Sequence, residues 1–394
     1  MTSKGNVGMV VFGPVEDAVR EQMSMCQSAE DGAVAVLCAD NHLGYSMPIG
    51  GVIAYEGLVS PSAVGYDIGC GNCAVRTDAT LDQVNVPALM DDIWRVLSFG
   101  VGRKNAVEVD HPVLDEIASC ALGFQRGLAQ MASQQLGTIG SGNHYVDLFV
   151  DAEQCVWVGV HFGSRGFGHK TATWALAQAG ATDQSMMAAP VVIPVASELG
   201  QQYLDGMARA GRYAYAGREW VVDRVVKMLG AHVTERVHNH HNFAWLETHD
   251  GRDVWVHRKG ATPAFPGQRG FVGATMGEPA VILEGVDSPV SASALYSTVH
   301  GAGRVMSRTK AAGKRNRKTG EILTPGLIDF AAVQQEMRAQ GIALRGAGAD
   351  EAPGAYKRLD EVLAYHAGTV VVRHTLRPVG VAMAGSDVYD PFKD

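Results

Sequence analysis

The stretch around His300 limits the local fold more strictly than any other part of the chain. A short run of β-favouring residues ends at Val299 and leads His300 directly into a Gly-Ala-Gly sequence. Glycines tolerate positive φ and let a ligand approach the backbone, so this loop would present an imidazole and several amides to an anion. Arg304 and Arg308 follow four residues apart and would share one face of a helix. The stretch predicts a phosphate site, but a strand-to-helix turn with a structural histidine fits it equally well.

Glycine is enriched throughout the chain, with 47 in 394 residues, and many glycines adjoin His, Cys, Asp or Arg. This placement predicts active-site loops and not a low-complexity linker. The hydrophobic content of 46% and charged content of 19% indicate a globular protein with a substantial core. No linker or repeat divides the chain, so we expect one large α+β domain over residues 1–385 and a polar tail over 386–394. Predicted helices include Val15–Gln27, Leu81–Phe99, Pro112–Gln135, much of 171–235, Asp329–Gln340 and Asp350–His366.

The net charge of −8 argues against a generally cationic surface that coats nucleic acid. Local contacts remain open: five of the nine residues in Lys310–Lys318 are basic, which fits a phosphate-binding segment or a solvated loop. The chain has no signal-peptide pattern and no apolar run of membrane-spanning length. With six unevenly spaced cysteines, these features predict a soluble, cytoplasmic protein with reduced thiols and no membrane partner.

The glycine-rich turn around residue 70 offers candidate metal ligands. Asp67 and Cys70 lie three residues apart and supply a hard and a soft donor. Cys70 and Cys73 also form a CxxC, which fits a redox pair or half of a zinc knuckle. Because there is no second CxxC, we favour Asp67 and Cys70 as ligands and assign Cys73 to packing.

Histidines beside glycines complete this set. His144 and His161 flank strand-like runs, where an imidazole can point into a cavity, and residues 238–241 carry three further histidines. A mixed set of O, S and N donors favours one or two divalent transition metals over a closed, cysteine-rich zinc site. Arg258 and Lys259 end a later strand-like run and are candidate phosphate contacts. A metal beside a nucleophilic histidine and several basic residues favours phosphoryl or nucleotidyl transfer.

These residues occur in a recognisable order. The motifs are Asp67-Ile-Gly-Cys-Gly71, Gly142-Asn-His144, His161-Phe-Gly-Ser-Arg-Gly166, His241-Asn242, Val256-His-Arg-Lys-Gly-Ala261 and His300-Gly-Ala-Gly-Arg304. Together they resemble the RtcB-type RNA-splicing ligases, from about residue 40 to 310 and more loosely to the end. The resemblance implies an α+β domain whose mixed sheets surround a central cleft for metal and nucleotide.

The resemblance also implies a manganese-dependent ligase that uses GTP to join RNA 2′,3′-cyclic-phosphate or 3′-phosphate ends to 5′-hydroxyl ends, as in tRNA splicing and RNA repair. His300 would attack the GTP α-phosphate and carry GMP as a phosphoramidate. The implied ligands of two Mn²⁺ ions are Asp67, Cys70, His144, His161 and His241. The implied nucleotide contacts are Asn143, Asp147, Asn242, Ala274, Thr275, Met276, Gly277, Gly301, Ala302 and Gly303. The implied contacts to phosphate or RNA are Arg165, Arg258, Lys259 and Arg304, and the family leaves room for an activating protein partner.

The chain departs from the family pattern where the guanine base would bind. Asp147 replaces the usual glutamate three residues after the Asn-His pair. Where the family has Gly-Ser-Met-Gly and a nearby serine, this chain has Ala274-Thr275-Met276-Gly277 and Ala280. The usual C-terminal Lys-Gly is Ala384-Gly385 here, followed by nine more residues. The alternatives are a divergent relative that uses another nucleotide and a protein that processes or binds RNA ends without ligation.

Overall fold

The computed structural model describes residues 8–183, 185–315, 319, 322–386 and 388. The strands are β1 (Val10–Val11), β2 (Val34–His42), β3 (Ile49–Tyr55), β4 (Leu58–Val59), β5 (Gly71–Thr80), β6 (Tyr145–Val150), β7 (Cys155–Phe162), β8 (Ile193–Pro194), β9 (Val233–His240), β10 (Asn242–His249), β11 (Arg252–Lys259), β12 (Ala261–Pro263), β13 (Arg269–Val272), β14 (Ala280–Gly285), β15 (Ser297–Val299), β16 (Gly313–Arg315), β17 (Ile322–Pro325), β18 (Ala343–Gly346) and β19 (Val370–Met383). The helices are α1 (Asp17–Gln27), α2 (Pro61–Val64), α3 (Val86–Val96), α4 (Pro112–Ser119), α5 (Gly123–Arg126), α6 (Ala129–Gln135), α7 (Arg165–Gln178), α8 (Glu198–Leu229), α9 (Pro289–Ser293), α10 (Arg308–Ala312), α11 (Phe330–Ala339) and α12 (Leu359–Ala364).

Two mixed sheets organise these elements. The larger has eight strands, in the order β13-β14-β19-β6-β7-β5-β9 with β18 beside β19, and the smaller has the order β1-β2-β3-β11-β10. The outer strands of the larger sheet approach each other, since the N–H of Phe271 in β13 donates to Oδ1 of Asn239 in β9 at 2.9 Å. The larger sheet is therefore a nearly closed barrel, and the α+β prediction is confirmed.

Strand β7 shows how the sequence builds the barrel wall. Alternate residues of a strand point to opposite faces, and both faces of β7 are apolar. Val158 and Val160 pack in one core cluster with Val222 of α8, whereas Trp157 packs in another with Phe271. A strand covered on both faces needs this continuous apolar composition. The end of β7 places His161 in the interior of the protein.

Helix α8 supports the barrel from outside and has clear end signals. The side chain of Ser197 accepts the N–H of Gly200 at its N-terminus, and Gly230 adopts the left-handed conformation (φ 69°) after its last residue. At 32 residues it is the longest described helix, and neither it nor any other described helix is long and apolar enough to cross a membrane.

Three helix predictions were too long, each for a local reason. The prediction for Leu81–Phe99 contains a 3₁₀ turn and then α3, which begins at Val86 because Asn85 caps it and Pro87 occupies its first turn. The prediction for Pro112–Gln135 contains the three short helices α4 to α6. Asp350–His366 is two 3₁₀ turns followed by α12, because Pro353 cannot extend a helix. Most of the predicted tail (residues 387 and 389–394) and part of the basic segment (residues 316–318) lie outside the described residues.

A candidate metal centre beside His300

A buried cluster of Cys70, His144 and His161 forms the centre of the site. The ligand atoms of these side chains all lie within 4.8 Å of one another. The Cys70 sulfur is 3.7 Å from Nε2 of His144 and 3.7 Å from Nε2 of His161. The three residues come from the turn after α2, the start of β6 and the end of β7, so the barrel brings them together.

Asp67 adds a carboxylate to this cluster. Its Oδ2 lies 3.2 Å from Nε2 of His144, and a Cβ at Gly163 would collide with its carboxylate. Burial raises the pKa of Asp67, but the hydrogen bond and charge of His144 outweigh this effect and lower the pKa to about 2. The carboxylate is therefore ionised at neutral pH, as a metal ligand must be.

Hydrogen bonds to the outer ring nitrogens orient both imidazoles. Nδ1 of His161 lies 2.8 Å from Oδ1 of Asn72, whose Nδ2 donates to the carbonyl of Phe271 at 3.0 Å. The amide oxygen therefore faces His161, and the ring donates from Nδ1 and keeps a lone pair on Nε2. Nδ1 of His144 lies 3.0 Å from the carbonyl oxygen of Ile139 and 3.1 Å from Nη1 of Arg165, so this ring is also fixed from its outer side. Asn72 was not among the predicted site residues, although it lies only two residues after Cys70; its strand β5 pairs with β7 directly opposite His161.

His241 links the cluster to His300. Its ring centroid is 5.1 Å from that of His161 and 4.9 Å from that of His300. Its buried Nδ1 has no hydrogen-bond partner among the described residues, which is costly unless a ligand is bound. His238 and His240 instead lie within hydrogen-bond reach of the Arg218 guanidinium, as expected for the opposite face of β9. An orphaned imidazole nitrogen beside O, S and N donors fits a transition-metal site.

Cys73 lies away from the metal candidates. It is fully buried and packs in the core cluster formed by β7, α3 and α8. This position is consistent with its assignment to packing.

His300 is held by a carboxylate that the sequence analysis did not identify. Oδ2 of Asp40 lies 2.6 Å from Nδ1 of His300 and accepts the backbone N–H of His300 at 2.9 Å. Burial of Asp40 is complete and raises its pKa, but the charge and hydrogen bonds of His300 dominate and lower it. The ammonium of Lys357 fixes the adjoining backbone, donating to the carbonyls of Ala39 and Asn41 at 3.0 and 2.9 Å.

Two glycines allow this pairing to form. Gly303 has φ 77°, and a Cβ there would collide with the carbonyl of Asp40. Gly260 has φ 62°, and a Cβ there would lie 3.0 Å from Cε1 of His300. Positive φ and close approach both favour glycine at these positions.

The predicted basic contacts have different surroundings. Arg165 lies in the site: its Nη1 is 3.1 Å from Nδ1 of His144, its Nε is buried without a partner, and its φ is 54°. A non-glycine residue with positive φ at a functional site is consistent with a conformation held by its surroundings. Lys259 is also buried near the site, with its ammonium donating to the carbonyl of Tyr45 at 2.6 Å.

Arg258 and Arg304, also predicted as phosphate contacts, form ion pairs within the protein. The side chain of Arg258 is 0% exposed, and its guanidinium lies 2.6 Å from the carboxylate of Glu247. The two residues form a structural ion pair inside the protein. Arg304 pairs with Glu351 at 3.1 Å and donates to the Tyr356 hydroxyl and the Asp350 carbonyl. Most of its donors are therefore used within the protein.

The predicted base-binding residues occupy two neighbouring segments. Residues 274–277 form the turn between β13 and β14, where Thr275 Oγ1 is buried without a hydrogen-bond partner and Met276 packs in the core. Asp147 in β6 lies opposite Val381 of β19, and burial raises the pKa of its carboxyl well above the usual value.

Asn143 is exposed beside His144. Asn242 bridges to the metal candidates, because its Nδ2 lies 3.4 Å from the Asp67 carbonyl and its Oδ1 accepts the Gly260 N–H at 2.8 Å.

The fold and the site define an α+β protein with a buried cluster of transition-metal donors beside a carboxylate-held histidine. A family model described as "tRNA-splicing ligase RtcB" matches residues 24–131 and 123–384. The tRNA-splicing ligase RtcB of Thermococcus kodakarensis is 33% identical, covering 93% of this chain and 93% of that protein. The corresponding protein of Archaeoglobus fulgidus is 31% identical, covering 93% and 91%. The RNA-splicing ligase RtcB of Escherichia coli is 32% identical, covering 86% and 87%.

This chain belongs to the RtcB family. The match extends over nearly all of the elements that carry the site, from β2 to β19.

Proposed function

We propose that this protein is an RNA ligase that uses GTP and Mn²⁺ to join 2′,3′-cyclic-phosphate or 3′-phosphate ends to 5′-hydroxyl ends. The observation that carries the proposal is the Asp40–His300 pair, whose imidazole adjoins the metal candidates through His241. Membership of the RtcB family supports it, since the relatives compared above are named as tRNA-splicing or RNA-splicing ligases.

In this reaction His300 is the nucleophile. Asp40 holds the proton on Nδ1, which leaves a lone pair on Nε2. Nε2 attacks the α-phosphorus of GTP, a P–N bond forms, and the P–O bond to pyrophosphate breaks. An oxygen of the RNA 3′-phosphate then attacks the phosphorus of the bound GMP and releases His300. The 5′-hydroxyl oxygen finally attacks the activated 3′-phosphate, its proton passes to solvent, and GMP leaves. A cyclic phosphate must first be opened by water.

The residues that would hold two Mn²⁺ ions are Asp67, Cys70, His144, His161 and His241. When bound, such ions neutralise phosphate charge and orient the reacting oxygens. Asn72 keeps the Nε2 lone pair of His161 directed into the site, and the Ile139 carbonyl helps to orient the ring of His144. Arg165 supplies a fixed positive charge beside His144.

The nucleotide and RNA would bind around this centre. We assign the base and ribose to the Asp147 side, including Asn143 and the 274–277 turn, and the phosphates to the 301–303 loop with Asn242, Arg165 and Lys259. The same proposal includes RNA with these ends as the substrate, a protein partner that activates the enzyme, and a cytoplasmic location. All six cysteines are free, which fits a reducing compartment.

Nucleotide labelling tests the chemistry without RNA. The full chain is incubated with Mn²⁺ and GTP labelled at the α-phosphate, then separated by denaturing electrophoresis. We expect covalent label that is lost in His300→Ala and retained in the control His374→Ala, because His374 lies on β19 with its ring 5.3 Å from that of the core residue Trp157. Label that persists in His300→Ala would exclude His300 as the nucleophile.

A second assay separates ligation from the alternatives. Purified RNA strands with 3′-phosphate and 5′-hydroxyl ends are supplied together, and the product is resolved by length. Joined RNA supports the ligase proposal. Covalent label with processed but unjoined ends would favour RNA-end processing, and RNA binding without label would favour a non-catalytic protein.

A further inference from the structure

A cavity of about 330 Å³ lies beside the site, and most of its lining residues have no role in the reaction described above. Its walls come from the connection between β2 and β3, from α2, and from the second half of α7 with the segment that follows it. Most of the lining side chains are apolar, among them Leu43, Ile49 and Leu176. The volume is at the lower end of the range for small-molecule sites.

The cavity opens next to the reacting groups. Asn242 lines it and directly follows the metal candidate His241. A Cβ at Gly260 would collide with the cavity residue Ile49 and lie 3.0 Å from Cε1 of His300. One residue of backbone therefore separates the cavity wall from the nucleophile.

A buried positive charge lies at the inner wall. Lys259 is 6% exposed, and its ammonium donates to the carbonyls of Tyr45 and Ser62 at 2.6 and 3.3 Å. No carboxylate forms an ion pair with Lys259 within the part of the chain that the structure describes. Burial accordingly lowers its pKa to about 8. A buried ammonium that lacks a carboxylate partner favours an anionic ligand.

Two tyrosines give the cavity an aromatic character. Tyr45 is 47% exposed and lines the cavity. Tyr66 lines the same cavity and stacks on His169 with ring centroids 5.2 Å apart. Aromatic side chains of this kind stack on unpaired bases of RNA.

We infer that this cavity binds the terminal nucleoside of an RNA strand, with Tyr45 stacked on the base and Lys259 paired with the adjoining phosphate. Apolar walls, an exposed tyrosine and an ammonium without a carboxylate partner match the three parts of such a nucleotide. The site differs from the one assigned to the GTP base, because neither Asp147 nor the 274–277 turn lines the cavity. The inference rests on the proposed ligase function, which supplies RNA as the ligand.

Binding of short oligoribonucleotides to the full chain tests this site. Fluorescence anisotropy with Mn²⁺ and without GTP compares single strands that carry an internal label. One pair has a 5′-hydroxyl end with or without its terminal base, and the other has a 3′-phosphate end with or without its terminal base. Base stacking contributes about 1–3 kcal/mol, so we expect removal of the terminal base to weaken binding of one of these strands about 5- to 140-fold. The strand that responds identifies which RNA end occupies the cavity.

Variants assign this effect to the cavity. Tyr45→Ala should weaken binding of the intact responding strand by a similar factor and have no further effect on its abasic form, whereas Tyr45→Phe should restore binding. Lys259→Met should weaken both forms. Tyr365→Ala is the matched control, since Tyr365 is 51% exposed and does not line the cavity.

The inference is overturned if both abasic strands bind as tightly as the intact ones, or if Tyr45→Ala weakens intact and abasic strands equally. GTP labelling of His300 needs no RNA, so loss of labelling would count against the proposed function and not against the cavity. Competition by free GTP for the base-dependent binding would reassign the cavity to the nucleotide and also overturn the inference.

Discussion

Asp40 and His300 lie 260 residues apart in the chain, yet Oδ2 of Asp40 is 2.6 Å from Nδ1 of His300. The same oxygen accepts the backbone N–H of His300 at 2.9 Å, so the carboxylate fixes both the ring and the peptide that carries it. Because Asp40 lies at the end of the buried part of β2 and His300 directly follows β15, the sheets set this geometry.

Asp40→Asn should therefore slow labelling of His300 by nucleotide. An amide can donate to Nδ1 and shift the ring proton to Nε2, which removes the nucleophilic lone pair. We expect a loss on the order of 10²- to 10⁴-fold, as for other carboxylates that fix a histidine tautomer. Single-turnover labelling measures the rate, with bound metal measured in parallel.

The control for this prediction is Asp91→Asn, which removes an exposed carboxylate that pairs with Arg345 on the surface. It should label at the original rate. A rate in Asp40→Asn within a few fold of that control would show that the carboxylate does not set the reactive tautomer.

The two cysteines of the CxxC should behave differently. Cys70→Ala removes a donor from the Cys–His–His cluster and should lower the bound metal measured by elemental analysis. Cys73→Ala removes a buried sulfur from the core and should lower the free energy of unfolding by about 1–2 kcal/mol while metal content stays the same. Equal loss of metal in both variants would support a site formed by the CxxC pair.

Asn72 is predicted to position His161. Asn72→Ala removes the acceptor for Nδ1 of His161 and lets the ring rotate. Loss of such an outer partner typically weakens metal affinity about 10- to 100-fold. Titration of the metal-free protein with Mn²⁺ measures the change.

Asn85→Ala is the matched control for Asn72→Ala. The side chain of Asn85 caps α3 by accepting the N–H of Ala88 at 3.2 Å. Its loss should lower stability by about 1 kcal/mol and leave metal affinity unchanged. If Asn72→Ala behaves in the same way, Asn72 contributes to folding and not to the position of His161.

Local sequence patterns predicted the metal candidates and the histidine loop because short, glycine-flanked motifs carry these residues. His241 was preferred over His238 and His240 because of the asparagine that follows it, and its unpartnered Nδ1 beside His161 and His300 is consistent with that choice. The pairing of Asp40 with His300 depends on how β2 lies against β15, which no spacing in the sequence reveals. Arg258 was assigned to phosphate because it ends a basic strand, but its partner Glu247 lies on the neighbouring strand β10.

The region expected to bind the base gives the last prediction. Asp147 is one methylene shorter than the family's glutamate. Its Oδ1 accepts the backbone N–H of Ala382 at a long distance of 3.4 Å. Ala384 stands where the family has a lysine and packs partly buried against the core. Two hydrogen bonds to guanine, each contributing about 0.5–1.5 kcal/mol, are therefore expected to be absent. At about 1.4 kcal/mol per factor of ten, the GTP preference should be one to two orders of magnitude weaker than in a chain with both groups.

Labelling rates with GTP and ATP test this expectation in the original chain, in Asp147→Glu and in a chain truncated after Gly385. Asp147→Glu should raise the ratio of the GTP labelling rate to the ATP labelling rate about 2- to 12-fold. The longer side chain places the carboxylate as far from the backbone as the family's glutamate does. If a group from the tail, such as Lys393 outside the described residues, replaces the missing lysine, truncation should lower the ratio. A strong GTP preference that survives truncation and does not change in Asp147→Glu would place guanine recognition on other residues, and would remove Asp147 and Ala384 from the base pocket.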